Sequence, residues 1–408
     1  FVQKHQQYLI QLYKLSKNYN LDEHPAWFVQ EPMTYANVEE NMARYAKLSG
    51  SLEDLAQWVH LSGLQGNTEA AVEGILTMIF LGRLLDQTTD GHGQRYIYNG
   101  VIPRCITATR RLLMIRTLNP QQLEKLQTAF NKFNISDILH RYLICNRCIL
   151  ITQAELARNG KAEQAEKMNM SVIDWDNRGN PIRLFYPEQI NESVHNMDMT
   201  LLLGVSSKLI SLAKEGYPSR YQAQSGPLAN KLNRFSDYME PTKEETEKME
   251  KKQEELKEEY PEIDWDNFEE LWKGETRKII IKSFHEVNPK WVRYLFSHNG
   301  INKIYQERFM EAAKMELKLQ MTKTALAIER HRWNNNGKLP EGLDMLTKND
   351  GVLNPPFDPL ELNNKKLKYV ILGANEGYQM TTLYRAKDFT DGVAKRYTLE
   401  LNFKKRIR

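Results

Sequence analysis

Apolar side chains recur three and four residues apart through most of the first 160 positions, which is the spacing of one helix face. Asn119 opens the clearest helix, because asparagine caps, Pro120 suits the first helical position and Gln122 falls at the third. Capping-box spacing predicts two further starts, at Asn37 and at Ser51, each three residues before an acid. Short loops between such helices predict an array of antiparallel neighbours.

The pattern changes near residue 170. Residues 172–186 have the composition of two strands around a glycine turn, which predicts a β-hairpin. A helix follows, with Val194, Met197, Leu201 and Val205 on one apolar face. Residues 243–259 contain 13 Lys or Glu among 17 positions, which is typical of a solvated helix with many ion pairs.

The C-terminal part predicts a long helix from about Ile301 to Trp333, followed by three strands. The strands are expected at residues 367–372, 378–384 and 397–403. The last strand alternates apolar and polar residues, so Leu401 and Phe403 should face the helix and be buried. One long helix with a small antiparallel sheet is an α+β unit.

Three further helix boundaries follow from local chemistry. Thr242 stands three residues before Glu245 and should cap the charged helix. Gly160 and Gly337 each follow a helical pattern, and glycine can take the left-handed conformation at a helix C-terminus. We therefore expect helices to end at both glycines.

The predicted fold is therefore mainly α, a multi-helix array with a β-hairpin insertion and a small C-terminal α+β module. Three domains are expected. The helical array spans 1–160, the hairpin and further helices including the charged helix 243–259 span 161–298, and the α+β module spans 299–408.

Composition narrows the function classes. The 56 basic and 52 acidic residues leave a formal charge of +4, which lacks the concentrated positive charge of a nucleic-acid-binding protein. No apolar stretch approaches the roughly 20 residues that a bilayer requires. The chain opens on Phe1 rather than Met, so we expect any signal peptide or membrane tether to precede it.

Cysteine usage points away from redox chemistry. Three cysteines cannot make a disulfide framework. Cys145 and Cys148 have redox spacing, but they fall in the middle of the helix that begins near Asp137, whereas redox pairs lie at helix N-termini. We therefore expect both to be small buried residues of the core.

Two carboxylate–histidine pairs are weak candidates for metal ligands. Glu192 precedes His195 by three residues, and Asp137 precedes His140 by the same interval, which is a spacing of helical di-metal sites. Such sites need two further inward carboxylates, and Glu192 and His195 lie roughly opposite the apolar face of their helix. We expect a solvated pair, no bound metal and no cofactor.

The chain carries no recognisable catalytic signature. It has no glycine-rich dinucleotide loop, no Walker loop, no His-Glu-x-x-His and no Gly-x-Ser-x-Gly. A hydrolase without a recognisable sequence signature remains the alternative, with its site between the helical array and the 170–186 hairpin.

The C-terminal residues carry a resemblance. The segments 325–332, 336–344 and 356–359, with their Gly-x-x-Pro-x-x-Leu core and Pro-Phe-Asp-Pro turn, resemble the C-terminal part of uncharacterised exported helical proteins of planctomycete and verrucomicrobial bacteria. The same stretch is similar to the periplasmic domain of type II secretion major pseudopilins. Residues 118–133 resemble the first half of the same exported proteins more loosely.

The chain departs from the pseudopilin pattern in two ways. Helical protein, rather than a pilin-type membrane helix, precedes the module, and only Asp388 and Asp391 stand where an aspartate-rich calcium loop is expected. The resemblance implies a periplasmic or otherwise exported protein and no known activity. The sequence therefore predicts a non-catalytic envelope scaffold that acts through other proteins, for which an envelope assembly is the candidate, and not through nucleic acid.

Overall fold

The structure is a computed structural model, and it describes six main parts of the chain. These are residues 38–86, 97–161, 192–215, 242–265, 304–346 and, with short gaps, 367–403; a few single positions are described elsewhere. The predicted hairpin at 172–186 lies outside the described residues.

Helices dominate the described part of the chain. Eight α-helices are labelled here in chain order: α1 Val38–Leu64, α2 Thr68–Asp86, α3 Ile102–Ile115, α4 Pro120–Asn131, α5 Ile135–Arg158, α6 Glu192–Glu215, α7 Lys243–Glu259 and α8 Ile304–Asn334. A short π-helix, Ile97–Val101, precedes α3, and a 3-10 turn, Leu343–Met345, follows α8. The predicted mainly α fold is confirmed.

Two helix starts follow from their capping residues. The Asn119 side chain accepts a hydrogen bond from the Gln122 backbone N–H at 2.9 Å, and the Gln122 side chain accepts one from Asn119 N–H in return. Thr242 and Glu245 form the same reciprocal pair at the start of α7. Each capping box satisfies two backbone donors that the helix itself leaves unpaired, so these two predicted starts are confirmed.

Ser51 does not begin a helix, and that prediction was wrong. Helix α1 runs through it without a break, and the Ser51 hydroxyl donates to the Lys47 carbonyl one turn earlier at 3.1 Å. Serine can occupy a helix interior when its hydroxyl bonds back to the preceding turn. Because capping-box spacing also occurs inside helices, the spacing alone could not locate the boundary.

The helix ends use residues that tolerate the left-handed backbone. Gly160 has a φ of +72° after α5, and the Lys161 N–H donates to the Leu156 carbonyl at 2.8 Å. After α8, Asn336 and Gly337 have φ values of 53° and 85°. Glycine and asparagine have the smallest steric cost there, which explains why both ends could be predicted from the sequence.

The chain divides into two compact units. Unit 1 comprises Phe1–Met33, Glu39–Tyr142 and Met310–Arg408, and unit 2 comprises Thr34–Val38 and Leu143–Phe309. The predicted three-part division at 160 and 298 stays a prediction.

Helix α2 is central to the core of unit 1, where it packs against α3 and α4. A methyl group added at Gly74 would lie 2.7 Å from Val59 Cγ2, and one added at Gly82 would lie 2.8 Å from Val101 Cγ1. Glycine at these positions therefore lets α2 approach its neighbours closely. Arg116, which follows α3, donates from Nε to the Gly63 carbonyl at 2.7 Å. This bond satisfies a carbonyl in the last turn of α1, which the helix itself leaves unpaired.

The C-terminal strands form an antiparallel sheet in the order β1-β2-β5. The strands are β1 Lys368–Leu372, β2 Gly377–Thr381, β3 Ala386–Lys387, β4 Ala394–Lys395 and β5 Thr398–Asn402, and β3 and β4 make a separate two-stranded ladder that the sequence did not predict. The predicted three-stranded sheet is confirmed, with β2 ending at Thr381 rather than Tyr384.

Helix α8 covers one face of this sheet. Tyr378 and Leu401 are directly paired across β2 and β5, both have no exposed surface, and the Tyr378 hydroxyl donates to the Ala325 carbonyl at 3.3 Å. Gln379 and Glu400 pair on the opposite face, where their side chains are joined at 3.2 Å. Alternation along the strands thus separates an apolar face from a polar one, as predicted.

Phe403 differs from the prediction. Strand β5 ends at Asn402, so Phe403 follows the ladder instead of continuing it, and its side chain is half-buried. Its N–H donates to the Glu376 carbonyl at 2.7 Å. Burial of Leu401 was predicted correctly, whereas burial of Phe403 was not, because the alternating pattern does not show where pairing stops.

Candidate functional site

Helix α6 carries apolar residues on two of its faces. One face is buried within unit 2 and includes Met199, Leu202, Leu209, Ile210 and Ala213. A second row, Met197, Leu201 and Val205, repeats every four residues and lies on the solvent side, with Met197 42% exposed. We refer to these three residues as the α6 row.

The α6 row lines a shallow groove. The lining residues are Asn196, Met197, Thr200, Leu201, Gly204 and Val205. Gly204 has open space where a side chain would be, since nothing lies within 4 Å of the position that a Cβ atom would occupy. The groove floor is therefore backbone at Gly204, flanked by the apolar side chains of Leu201 and Val205.

The groove suits apolar contact rather than bond-making chemistry. The Thr200 hydroxyl donates its proton to the Asn196 carbonyl one turn earlier, at 2.7 Å. The lining contains no acid, base, thiol or imidazole. The apolar side chains of the groove suit contact with the apolar face of another helix or with an apolar loop.

The buried face of α6 is not the face that the sequence analysis identified. The row through Met197, Leu201 and Val205 was predicted to be the apolar face, but the buried side of the helix runs through Met199, Leu202 and Leu209. Both rows have helical spacing, so periodicity could not choose between them. Two apolar rows on one helix were the available signal that one of them would be left for the surface.

A second cluster lies between α8 and the sheet. Glu329 on α8 is almost fully buried, and its Oε2 is 3.4 Å from Arg332 Nη1. The guanidinium of Arg332 stacks over the Phe403 ring at 4.1 Å from its centroid and donates from Nε to the Gly337 carbonyl at 3.1 Å. Arg332 therefore links the end of α8, the turn that follows it and the end of β5.

Tyrosines of the sheet complete this cluster. The Tyr369 ring lies 5.9 Å from that of Tyr378, which in turn meets Phe403 edge-on at 5.9 Å. Burial, together with the nearby Glu329 carboxylate, raises the pKa of Tyr369 above its ordinary value. The ring contacts and the Tyr378 hydrogen bond to Ala325 together pack the sheet against α8.

The weak metal candidates are distributed over different elements. Asp137 is exposed in the first turn of α5, where its carboxylate accepts a hydrogen bond from the Asn134 amide at 2.6 Å. His140 is half-buried one turn later, and the side chains of Glu192 and His195 lie outside the described residues. Within the described ranges, no group of three or more His, Cys, Asp or Glu side chains is arranged to hold a metal ion.

The two cysteines of α5 are not core residues, and that expectation was wrong. Both lie in mid-helix as predicted, but Cys148 is exposed and Cys145 is half-buried. The buried face of the helix instead passes through Asn146 and Gln153, each with no exposed surface. Free cysteines are usually buried, and for this reason the sequence predicted that both lie in the core. The elements that pack against α5 instead cover the side that carries Asn146 and Gln153.

Helices long and apolar enough to cross a bilayer are not found among those the structure describes. Comparison with protein-family models, with curated proteins and with solved structures finds no match to this chain. Among the described residues, the α6 row stands out because its apolar side chains line a groove.

Proposed function

We propose that this chain is a non-catalytic scaffold or protein-interaction protein, and that the α6 row is a surface through which it meets another protein. The observation that carries the proposal is a row of apolar side chains along a groove, with Met197 exposed and Leu201 and Val205 half-buried, on a helix that packs another face into the core. Apolar surface in contact with water is retained at a cost in solubility, and contiguous exposed apolar residues commonly mark interaction sites.

The setting we propose is the bacterial envelope. Support comes from the resemblance of the segments 325–332, 336–344 and 356–359 to exported helical proteins and to the periplasmic domain of major pseudopilins. A helix-covered sheet with one apolar face is compatible with that resemblance. The partner we propose is another protein of an envelope assembly.

The test is site-specific photo-crosslinking in living cells. A photoreactive amino acid at Thr200, inside the groove, should form a discrete adduct with a partner protein. The matched position is Leu203, which is on the same helix and 38% exposed but does not line the groove, and it should not form that adduct.

A substitution pair completes the design. Leu201→Glu places a charge in the row, so the Thr200 adduct should be lost, because a buried unpaired carboxylate is costly. Leu203→Glu makes the same chemical change outside the row and should leave the adduct intact. Equal crosslinking from Thr200 and Leu203, or an adduct that survives Leu201→Glu, would contradict the proposal.

A further inference from the structure

Two amide side chains lie inside unit 2 on one face of α5. Asn146 and Gln153 are seven residues apart, which is close to two helical turns, so they project from the same side. Both residues have no exposed surface. Leu150 and Ala154 are buried on the same side, so the two amides interrupt an otherwise apolar stripe.

Among the residues that the structure describes, neither amide finds a hydrogen-bond partner. The Oδ1 and Nδ2 atoms of Asn146 and the Oε1 and Nε2 atoms of Gln153 are all buried without one. An amide brings two donors and an acceptor oxygen with two lone pairs, and native interiors satisfy the large majority of such groups. Two whole amides at helical spacing therefore point to a ligand that is not protein.

A buried amide in unit 1, that of Gln127, does have a hydrogen-bond partner. Gln127 in unit 1 is also buried, and its Oε1 accepts a hydrogen bond from Arg330 Nη1 at 2.9 Å. The contrast shows that this fold pairs a buried amide when a protein donor is within reach. Asn146 and Gln153 are the described positions where both polar atoms of a side chain are left to another molecule.

The chemistry of the pair defines the ligand class. Amides are neutral and offer donors and acceptors together, so they match a small uncharged molecule with the same dual character. Ser206, which is buried on α6, donates its hydroxyl proton to the Leu203 carbonyl at 3.3 Å. Helix α6 adjoins α5, as the bond from Arg147 to Ser207 at 3.1 Å demonstrates.

We propose that Asn146 and Gln153 form an internal binding site for small uncharged hydrogen-bonding molecules, with ordered water as the resident ligand. Buried water typically makes about three hydrogen bonds to groups that the protein leaves unpaired, and such water is part of the folded structure. The site is independent of the α6 row, which lies on the solvent side of its helix.

The decisive variants are Asn146→Leu and Gln153→Met, each close in shape to the residue it replaces. If water satisfies the amides, both variants lose those bonds and melt at a lower temperature than the wild type. If the amides had no partner at all, removing them would relieve a penalty and raise the melting temperature. The sign of the shift therefore separates the two cases.

Leu150→Met is the matched control, because it reshapes the same buried face without touching an amide. We expect Asn146→Leu and Gln153→Met each to lower the melting temperature by more than this control does. A shift equal to that of the control, or a rise, overturns the proposal.

A crystal structure of the wild-type chain tests the same proposal without depending on whether a variant folds. A crystal structure of the full wild-type chain at high resolution should show water within hydrogen-bond distance of Asn146 Nδ2 or Oδ1 and of Gln153 Nε2 or Oε1. Density in which protein atoms fill this space, with neither amide contacting water, overturns the proposal whatever the melts show.

Discussion

The interiors of unit 1 and unit 2 handle polar groups in different ways. In unit 1 the buried threonines Thr77 and Thr109 donate to carbonyls one turn earlier, at 2.9 and 2.8 Å, and Gln127 is bound by Arg330. In the described part of unit 2, Asn146 and Gln153 have no protein partner. A buried amide of unit 1 thus has a protein partner, whereas two buried amides in the described part of unit 2 have none.

The difference between the units concerns whole amide side chains, because single unpaired polar atoms also occur in unit 1. Unit 1 also contains buried polar atoms without a hydrogen bond, among them His60 Nδ1, Arg110 Nε and Tyr369 OH. Arg110, however, reaches the Glu400 carbonyl through Nη2 at 3.3 Å, and all three residues are half-buried rather than fully enclosed. At each of these three residues of unit 1 a single atom lacks a bond, whereas both polar atoms of Asn146 and of Gln153 lack one.

The two units also differ in how their apolar faces are covered. In unit 1 the apolar face of the sheet is covered by α8, so Tyr378, Met380 and Leu401 are fully buried. In unit 2 the α6 row lines a groove, with Met197 exposed and Leu201 and Val205 half-buried, while another face of its helix is packed. An apolar stripe is covered from within the chain in one unit and, under our proposal, by another protein in the second.

The largest expected difference between the units is in thiol reactivity. Cys148 in unit 2 is exposed, whereas Cys105 in unit 1 is fully buried and burial raises its pKa. A thiol reagent added to native protein should therefore label Cys148 at once and Cys105 only as the protein unfolds, as read by mass spectrometry of the digested product. Labelling of both at one rate would show that the interior of unit 1 is open to solvent.

Leu401→Ala tests how much the helix-covered sheet contributes to unit 1. Removing a fully buried leucine side chain typically costs about 2–5 kcal/mol, because apolar burial is lost and a cavity remains. Denaturant unfolding should show a loss of that size. The control is Glu400→Ala on the opposite face, which keeps its backbone bond to Arg110; a comparable loss there would mean that the two faces are not distinct.

Gln127→Met sharpens the comparison of buried amides. The substitution keeps the volume but removes the acceptor of the Arg330 bond, so we expect a loss of about 1–3 kcal/mol in the free energy of unfolding. Thermal or denaturant melts provide the measurement, beside Gln153→Met in unit 2 as the matched change. A stabilising effect of Gln127→Met would contradict a favourable contribution of the Arg330 bond to unit 1.

The smallest change in stability is expected from removing an ion pair of the charged helix α7. A hydrogen bond and ion pair with Lys248, at 2.7 Å, lower the pKa of Glu244 below its ordinary value of 4.5. Because the folded-state pKa is depressed, the contribution is present above that value and is lost as the pH falls through the lowered pKa. Glu244→Gln should therefore change the melting temperature only slightly at neutral pH and not at all in acid, since exposed pairs contribute little.

Neighbouring Lys243 and Glu247 offer a comparison within the same helix. Their charged atoms are 3.7 Å apart, compared with 2.7 Å for Lys248 and Glu244, so Glu247→Gln should have an even smaller effect than Glu244→Gln. A large destabilisation from either change would indicate that α7 is held by its charges rather than by the burial of Leu256.

Local chemistry in the sequence determined much of this fold. Capping at Asn119 and Thr242, and termination at Gly160 and Gly337, depend on hydrogen bonds and backbone angles within a few residues, so they could be predicted without a neighbour in space. Alternation in the last strand likewise predicted that Leu401 is buried.

Tertiary structure alone decided which faces of α5 and α6 are buried. The helical period allowed either row of α6 and either side of α5 to be buried, and only packing placed Met197 in solvent, Cys148 outside and Asn146 within. A periodic pattern fixes which residues share a face, because that follows from 3.6 residues per turn. Which face is covered depends on elements far away in the sequence, and for this reason both the candidate surface and the internal amide site emerged only from the structure.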